Sequence, residues 1–386
     1  MNIKSLGNPD SWKNMFRRSL WYACKLLPIS KNKVVVMSYT GRGYCDNPKY
    51  IVEELLRQNV DCRIYWVVKD PSIDNHLPDG VRPVKFESAQ YVYHMATARL
   101  WIDNCRKFFY GKRPGQLYIQ TWHGGHGLKK IEAACEDALE PEYVSSAKRD
   151  SKMSDLFLSN SGLLTDLYHR DFWYDGPVLE EGLPRNDIFF REDFDRDAVR
   201  RELKIPEGKK VLLYAPTFRA DHSLEPYRLD CKKCALALKE RFGGDWIVLY
   251  RLHPNIFEMA DQLHYDPEYA INVSDYFDIQ ELYTISDAVI TDYSSVVLDF
   301  MITKKPSFLF ATDIDSYRED RGFAISLDEL PCPLATSNDQ LADNILHFDA
   351  EKFEKDADAF MARTRVHETG HASRSAVDWI REHMQA

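Results

Sequence analysis

Short apolar runs, each closing on a polar turn and several followed by a helical pattern, confine this chain to a parallel α/β architecture. In the first half the runs are Val34–Met37, Arg63–Val68, Val81–Phe86, Leu100–Ile102, Leu117–Trp122, Leu156–Leu158 and Pro177–Leu179. Helical patterns carrying Ile51, Leu55 and Leu56, and spanning Tyr91–Ala98, lie between them. The alternation restarts after residue 200 with Lys210–Tyr214, Trp246–Tyr250, Ala288–Ile290 and Pro306–Phe310. At 386 residues the chain is long for a single core. The expected organisation is an amphipathic segment at 1–30, an N-terminal Rossmann-like half at 31–195 and a C-terminal one at 196–386. The polar stretch Arg185–Pro206 marks the boundary, and the last helix, around Ala376–Met384, is expected to cross back onto the first half. In such sheets ligands gather at the carboxyl ends of the strands.

Charge and cysteine usage remove several classes. A net charge of -10 argues against a general nucleic-acid binder, which needs a basic field. Eight cysteines without a preceding secretory signal point to a reduced compartment. Cys231-Lys-Lys-Cys234 has metal-ligand spacing, but no second CxxC accompanies it. No run of about 18 apolar residues suggests a spanning helix. Near the N-terminus, Trp12, Phe16, Leu20, Ala23 and Leu27 recur at helical spacing beside Lys13, Arg17, Arg18 and Lys25. This pattern suits a helix lying in a membrane interface. A first helix packed on its own domain would look the same.

Four strand ends carry chemistry. Ile290-Thr-Asp-Tyr-Ser-Ser-Val-Val-Leu-Asp299 runs from a strand through a turn into a helix, placing Ser294 and Ser295 at its start. The two serines read either as an ordinary N-cap or as a cradle for a phosphate or diphosphate. His123-Gly-Gly-His-Gly127 offers an imidazole on a loop whose glycines let a ligand approach closely. Gly124, Gly125 and His126 belong to this turn, and Lys129 adds positive charge just after it. Arg251-Leu-His-Pro254 places a guanidinium and an imidazole on one side of a strand end. Thr217 and Arg219 form a further polar end. Asp313-Ile-Asp315 has the spacing of a metal-diphosphate site, but reads as a capped loop.

Taken in order, the motifs resemble those of the CDP-glycerol glycerophosphotransferases, which include teichoic-acid primases and polymerases. The matching segments are Gln120-Thr-Trp-His-Gly124 with Leu128-Lys-Lys130, Gly182-Leu-Pro-Arg-Asn-Asp187, Leu213-Tyr-Ala-Pro-Thr-Phe-Arg219, Arg251-Leu-His-Pro254, Val273-Ser274 with Asp278 to Tyr283, Thr291-Asp-Tyr-Ser-Ser295 with Asp299, Lys305-Pro306, Tyr317-Arg318 with Arg321-Gly-Phe323, and Gly370-His-Ala-Ser373. At Gly125-His126 the sequence departs from the family pattern. The resemblance implies a GT-B fold with two Rossmann-like halves facing a cleft. It implies transfer of glycerol phosphate from CDP-glycerol to a lipid-linked acceptor, without a metal, at the cytoplasmic face of the membrane, in teichoic-acid or capsular polymer synthesis. On that reading His123 is the general base, with Gly124, Gly125, His126 and Lys129 on the acceptor side, and His253 and Arg251 bind the diphosphate and stabilise the charge growing on departing CMP. Ser294, Ser295, Thr217 and Arg219 complete the donor site, and Asp299 either faces the ribose or makes internal contacts. Transfer from CDP-ribitol, a UDP-sugar transferase and a non-catalytic nucleotide sensor are the alternatives.

Overall fold

The computed structural model describes residues 9–107, 110–124, 128, 130–219, 223–252, 263, 265–314 and 324–385. It contains two parallel sheets. The first has seven strands: β1 (Ser30–Met37), β2 (Arg63–Val68), β3 (Val81–Lys85), β4 (Ala98–Asp103), β5 (Leu117–Gln120), β6 (Leu156–Ser159) and β7 (Val178–Glu180). Their order is β3-β2-β1-β4-β5-β6-β7. The second has six: β8 (Lys210–Tyr214), β9 (Trp246–Tyr250), β10 (Ala270–Asn272), β11 (Ala288–Thr291), β12 (Ser307–Phe310) and β13 (Leu334–Ala335), in the order β10-β9-β8-β11-β12-β13. Every strand pairing within the two sheets is parallel among the described residues, as expected for strands buried on both faces. Chain order reverses direction between β1 and β4 and again between β8 and β11. Those reversals open a crevice beyond the carboxyl ends of the strands in each half. This is the two-lobed GT-B arrangement that the resemblance implies. The three-residue β10 and two-residue β13 are absent from the sequence reading, because neither is long enough to show a period.

Helices cover the sheets. Those used below are α1 (Pro9–Cys24), α2 (Asp46–Arg57), α3 (Ala89–Thr97), α4 (Pro141–Met153), α5 (Gly162–Asp171), α6 (Arg196–Glu202), α7 (Cys231–Phe242), α8 (Ile279–Ile285), α9 (Val296–Met301), α10 (Asn338–Leu346), α11 (Ala350–Thr364) and α12 (Ala372–Gln385). Cys231 and Cys234 lie in the first turn of α7, which Asp230 caps through a bond from Lys233 N at 2.9 Å. Both thiols are core side chains, and burial pushes that of Cys231 up to about 12.

The two halves are tied at several places. Ala376, Val377 and Ile380 of α12 pack into the core formed by Ile51 and Leu55 of α2 and the first sheet. Asp187 holds the start of α12, accepting from Ala372 N at 3.0 Å and Ser373 N at 2.7 Å. Lys49 of α2 reaches Asp278 at 2.7 Å and Glu281 at 2.5 Å, and Tyr50 Oη donates to the same Asp278 at 2.9 Å. In the segment that returns to the first half, Glu368 accepts from Asn186 Nδ2 at 2.6 Å, Asn160 Nδ2 at 2.7 Å and Leu183 N at 3.2 Å. Burial outweighs those bonds and pushes its carboxyl up to about 8.

α1 has two faces. Trp21 and Cys24 are buried, and the Trp21 ring lies 4.7 Å from Tyr110 and 6.4 Å from Trp101. Arg17 pairs with Glu87 at 2.7 Å. The other face leaves Trp12, Met15, Phe16 and Tyr22 exposed, followed by Leu26 at 88% exposure. The helix is therefore packed on its own domain along one side and presents apolar side chains to solvent along the other. Among the described residues no helix is long and apolar enough to cross a membrane.

Candidate active site

The loop after β5 holds His123. Trp122 adopts the left-handed region at φ 52°, unusual for a bulky residue and held here by its neighbours. The Asn47 amide donates to the carbonyls of Thr121 at 3.3 Å and Trp122 at 3.2 Å. Trp122 N donates to Gln120 Oε1 at 2.9 Å. His123 Nδ1 lies 2.6 Å from the Asn104 carbonyl. A carbonyl can only accept, so Nδ1 carries the hydrogen and Nε2 keeps its lone pair. Burial lowers the pKa of His123, although the Asn104 carbonyl and Asp46 pull the other way. The imidazole is thus neutral near pH 7 and able to take a proton at Nε2.

Three strand ends of the second half face this loop. Thr217 follows β8, Arg251 follows β9, and Ser294 and Ser295 follow β11. Thr217 N is fixed by Asp292 Oδ1 at 2.8 Å, yet its Oγ1 is buried with no hydrogen-bond partner. Arg251 donates from Nη2 to the carbonyls of Tyr276 and Phe277, both at 3.4 Å, while its Nε is also buried and unpartnered. Ser294 Oγ accepts from Val296 N at 3.3 Å, and Ser295 is the N-cap of α9 without a capping bond from its side chain. Thr217, Arg251, Ser294 and Ser295 line the same cavity as His123 and Gly124, of about 320 Å³. An unpaired buried polar atom costs about 1–3 kcal/mol. Both atoms belong to residues that line this cavity.

Two expected ligand contacts are committed elsewhere. Arg219 donates from Nη2 to Asp292 Oδ2 at 2.8 Å and from Nε to Asp313 Oδ2 at 2.6 Å, and is 7% exposed. Tyr293 Oη donates to the other oxygen of Asp313 at 2.9 Å. Arg219 therefore braces the loops that carry Thr217 and Ser294, and Asp313 serves as its counter-ion. Asp299 is also buried. It does not line the cavity, because it neutralises Arg185 at 2.9 Å. His253, Gly125, His126 and Lys129 lie outside the described residues.

Arg185 is the residue that motif reading passed over. Its Nη1 donates to the His123 carbonyl at 2.7 Å and to Asp46 Oδ1 at 3.1 Å. Its Nη2 reaches Asp299, on α9 and just beyond Ser295. Its backbone N–H donates to Asn47 Oδ1 at 3.1 Å. Asp46 in turn accepts from Asn104 Nδ2 at 3.0 Å, the residue whose carbonyl orients His123. The available signal was the Gly182–Asp187 motif, quoted above without a role for its arginine. Replacing Arg185 by Met is expected to leave Asp46 and Asp299 as uncompensated buried charges. Urea unfolding should then show a loss of about 3–5 kcal/mol, and wild-type stability would contradict this account.

The model of the family described as CDP-Glycerol:Poly(glycerophosphate) glycerophosphotransferase matches residues 20–382. A teichoic acid poly(glycerol phosphate) polymerase of Staphylococcus epidermidis is 33% identical over 401 residues, covering 95% of this chain and 55% of the relative. The chain thus spans about half the length of that polymerase. A teichoic acid glycerol-phosphate transferase of Staphylococcus aureus is 32% identical, covering 87% of this chain and 90% of the relative. A solved structure of the wall teichoic acid polymerase TagF, as an H444N variant, superposes with a TM-score of 0.84 at 32% identity, covering 97% of this chain and 94% of that one.

Proposed function

The chain belongs to the CDP-glycerol:poly(glycerophosphate) glycerophosphotransferase family, and on that premise we propose that it transfers glycerol phosphate from CDP-glycerol to a hydroxyl of a lipid-linked acceptor and releases CMP. The observation that supports this reading is the shared cavity, with His123 from one half and Thr217, Arg251, Ser294 and Ser295 from the other. The acceptor sits on the N-terminal half, 31–195, and the CDP donor on the C-terminal half, 196–386. The product joins a teichoic-acid-type polymer.

In this mechanism His123 Nε2 takes the proton of the acceptor hydroxyl. The oxygen attacks the phosphorus that bears glycerol. A new phosphodiester bond forms as the phosphoanhydride bond to CMP breaks, and the electron pair leaves on the CMP phosphate. Arg251, assisted by His253, stabilises that growing charge. Ser294 and Ser295 hold diphosphate oxygens with their hydroxyls and the N–H groups at the start of α9. Thr217 supplies a further hydroxyl. Arg219 and Asp299 contribute by fixing the loops. Phosphoryl transfer depends mainly on positioning and charge stabilisation, which side chains of this kind provide without a metal.

The exposed side of α1 supports a peripheral association with the cytoplasmic face of the membrane, where a lipid-linked acceptor resides. Its inner side carries core residues, so deleting residues 1–30 would also remove Trp21 and Cys24 from the packed domain.

His123→Ala is expected to slow CMP release from CDP-glycerol by about 10²–10⁴-fold, and wild-type turnover would remove the base assignment. Because burial lowers the pKa of His123, the acid limb of the wild-type kcat/KM profile should fall below the ordinary histidine value of about 6.5. The same assay run with CDP-ribitol and UDP-sugars separates the neighbouring donors. For the membrane, the triple change Trp12→Ser, Phe16→Ser, Leu26→Ser should reduce liposome sedimentation at least tenfold at unchanged Tm, since burying one such side chain contributes about 1.5–3 kcal/mol. Undiminished sedimentation would exclude this face.

A further inference from the structure

A second concentration of positive charge lies at the other end of the first sheet, where its strands begin. Lys33 of β1 is in register with Arg63 of β2, and Tyr65 of β2 with Arg82 of β3. The His94 ring of α3 stacks on Tyr65 with centroids 3.9 Å apart. Lys33 Nζ lies 5.8 Å from the centre of that ring, and the Arg82 guanidinium 5.9 Å. Three basic groups therefore surround one phenol, with Arg63 beside them.

None of the four has a carboxylate partner among the described residues. Lys33 is 3% exposed, donates to Thr97 Oγ1 at 2.7 Å and rests 4.4 Å from the Tyr93 ring centre. Arg63 donates from Nε to Asn32 Oδ1 at 3.2 Å and also to Ser30 Oγ. Arg82 reaches Tyr65 Oη at 3.5 Å. His94 Nδ1 is buried with no partner. The groups oppose one another's charge. Burial and Arg63 hold Lys33 down to about 8, and burial with Lys33, Arg63 and Arg82 pushes His94 down to about 4.

Among the described residues, Lys33 differs in this from the other buried cations. Lys49 is answered by Asp278 and Glu281, Arg106 by Glu132 and Asp150, and Lys107 by Asp103. With 60 acidic against 50 basic residues, a shortage of acids does not explain the difference. Convergent guanidinium, ammonium and imidazole groups without a protein counter-ion match the oxygens of a phosphate.

We propose that Lys33, Arg63, Arg82 and His94 form a phosphate-binding site, separate from the cleft at the carboxyl ends of the strands. The exposed guanidinium groups of Arg63 and Arg82 meet the anion first. Lys33 and the unpartnered His94 nitrogen lie behind them. The phosphate comes either free in solution or on an anionic lipid headgroup. The proposal does not depend on which reaction the cleft performs.

Inorganic phosphate is titrated into full-length protein labelled at histidine, with the His94 signal assigned from His94→Gln. The expected result is a saturable shift of that signal and a rise of its titration midpoint by roughly one unit. Sodium chloride at equal ionic strength should not reproduce it, and R63Q/R82Q should abolish it at unchanged Tm. In a second arm, sedimentation with phosphatidylglycerol vesicles is compared for wild type and R63Q/R82Q, with phosphatidylcholine vesicles as control. A phosphate response lost in the variant identifies free phosphate as sufficient. A several-fold drop in phosphatidylglycerol binding without a phosphate response identifies the headgroup. If the variant changes neither, or chloride gives the same shift, the site is a solvated basic patch and the proposal is overturned.

Discussion

The guanidinium of Arg185 joins what the two halves must bring together. Through one nitrogen it holds the backbone of His123, and through the other it holds Asp299, on the helix that begins after Ser295. At 4% exposure it has little water to fall back on. Placing one cation and two carboxylates away from solvent is costly, and such a cluster rarely adds net stability over an apolar core. What it adds here is relative position. The proposed base on one sheet and the proposed diphosphate seat on the other have no covalent reason to keep their spacing. A planar fork with fixed donor directions sets it.

Around that fork the cleft has two kinds of polar group. One kind is fully engaged: Asp292 and Asp313 around Arg219, and Asn47 and Asn104 around His123. The other is left open, as with Thr217 Oγ1 and Arg251 Nε. The engaged groups hold the loops still, while the open ones belong to residues that line the cavity. This division supports a site organised before its ligand arrives, the condition under which electrostatic stabilisation is most effective. The strain at Trp122 belongs to the engaged set, since Asn47 and Gln120 hold the turn that presents His123.

Much of this was legible in the sequence where the physics is local. Arg63–Val68, Lys210–Tyr214 and Trp246–Tyr250 coincide with β2, β8 and β9, because a short apolar run bounded by turn residues says where a buried strand begins and ends. His123, Thr217, Arg251, Ser294 and Ser295 could be singled out because each ends a strand or opens a helix. Long-range pairing was not legible. Arg185 meets Asp46 across 139 residues and Asp299 across 114. No local period encodes such partners, so Arg219 reads as a ligand contact when its charge answers Asp292 and Asp313, and Asp299 is left between ribose and internal contacts until Arg185 is seen beside it. The first helix shows the same limit, since its spacing is equally consistent with packing and with lying at an interface. The structure gives Trp21 and Cys24 to the core and leaves Trp12, Phe16 and Leu26 outside.

The central claim is that a diphosphate sits between His123 and the turn that opens α9. A crystal structure of this chain soaked with CDP-glycerol tests it most directly. The account predicts diphosphate oxygens within hydrogen-bond distance of Thr217 Oγ1, Arg251 Nε and the 294–295 turn, with the glycerol-bearing phosphorus facing His123 Nε2. Nucleotide bound away from these groups, with Thr217 and Arg251 still unpartnered, would contradict it.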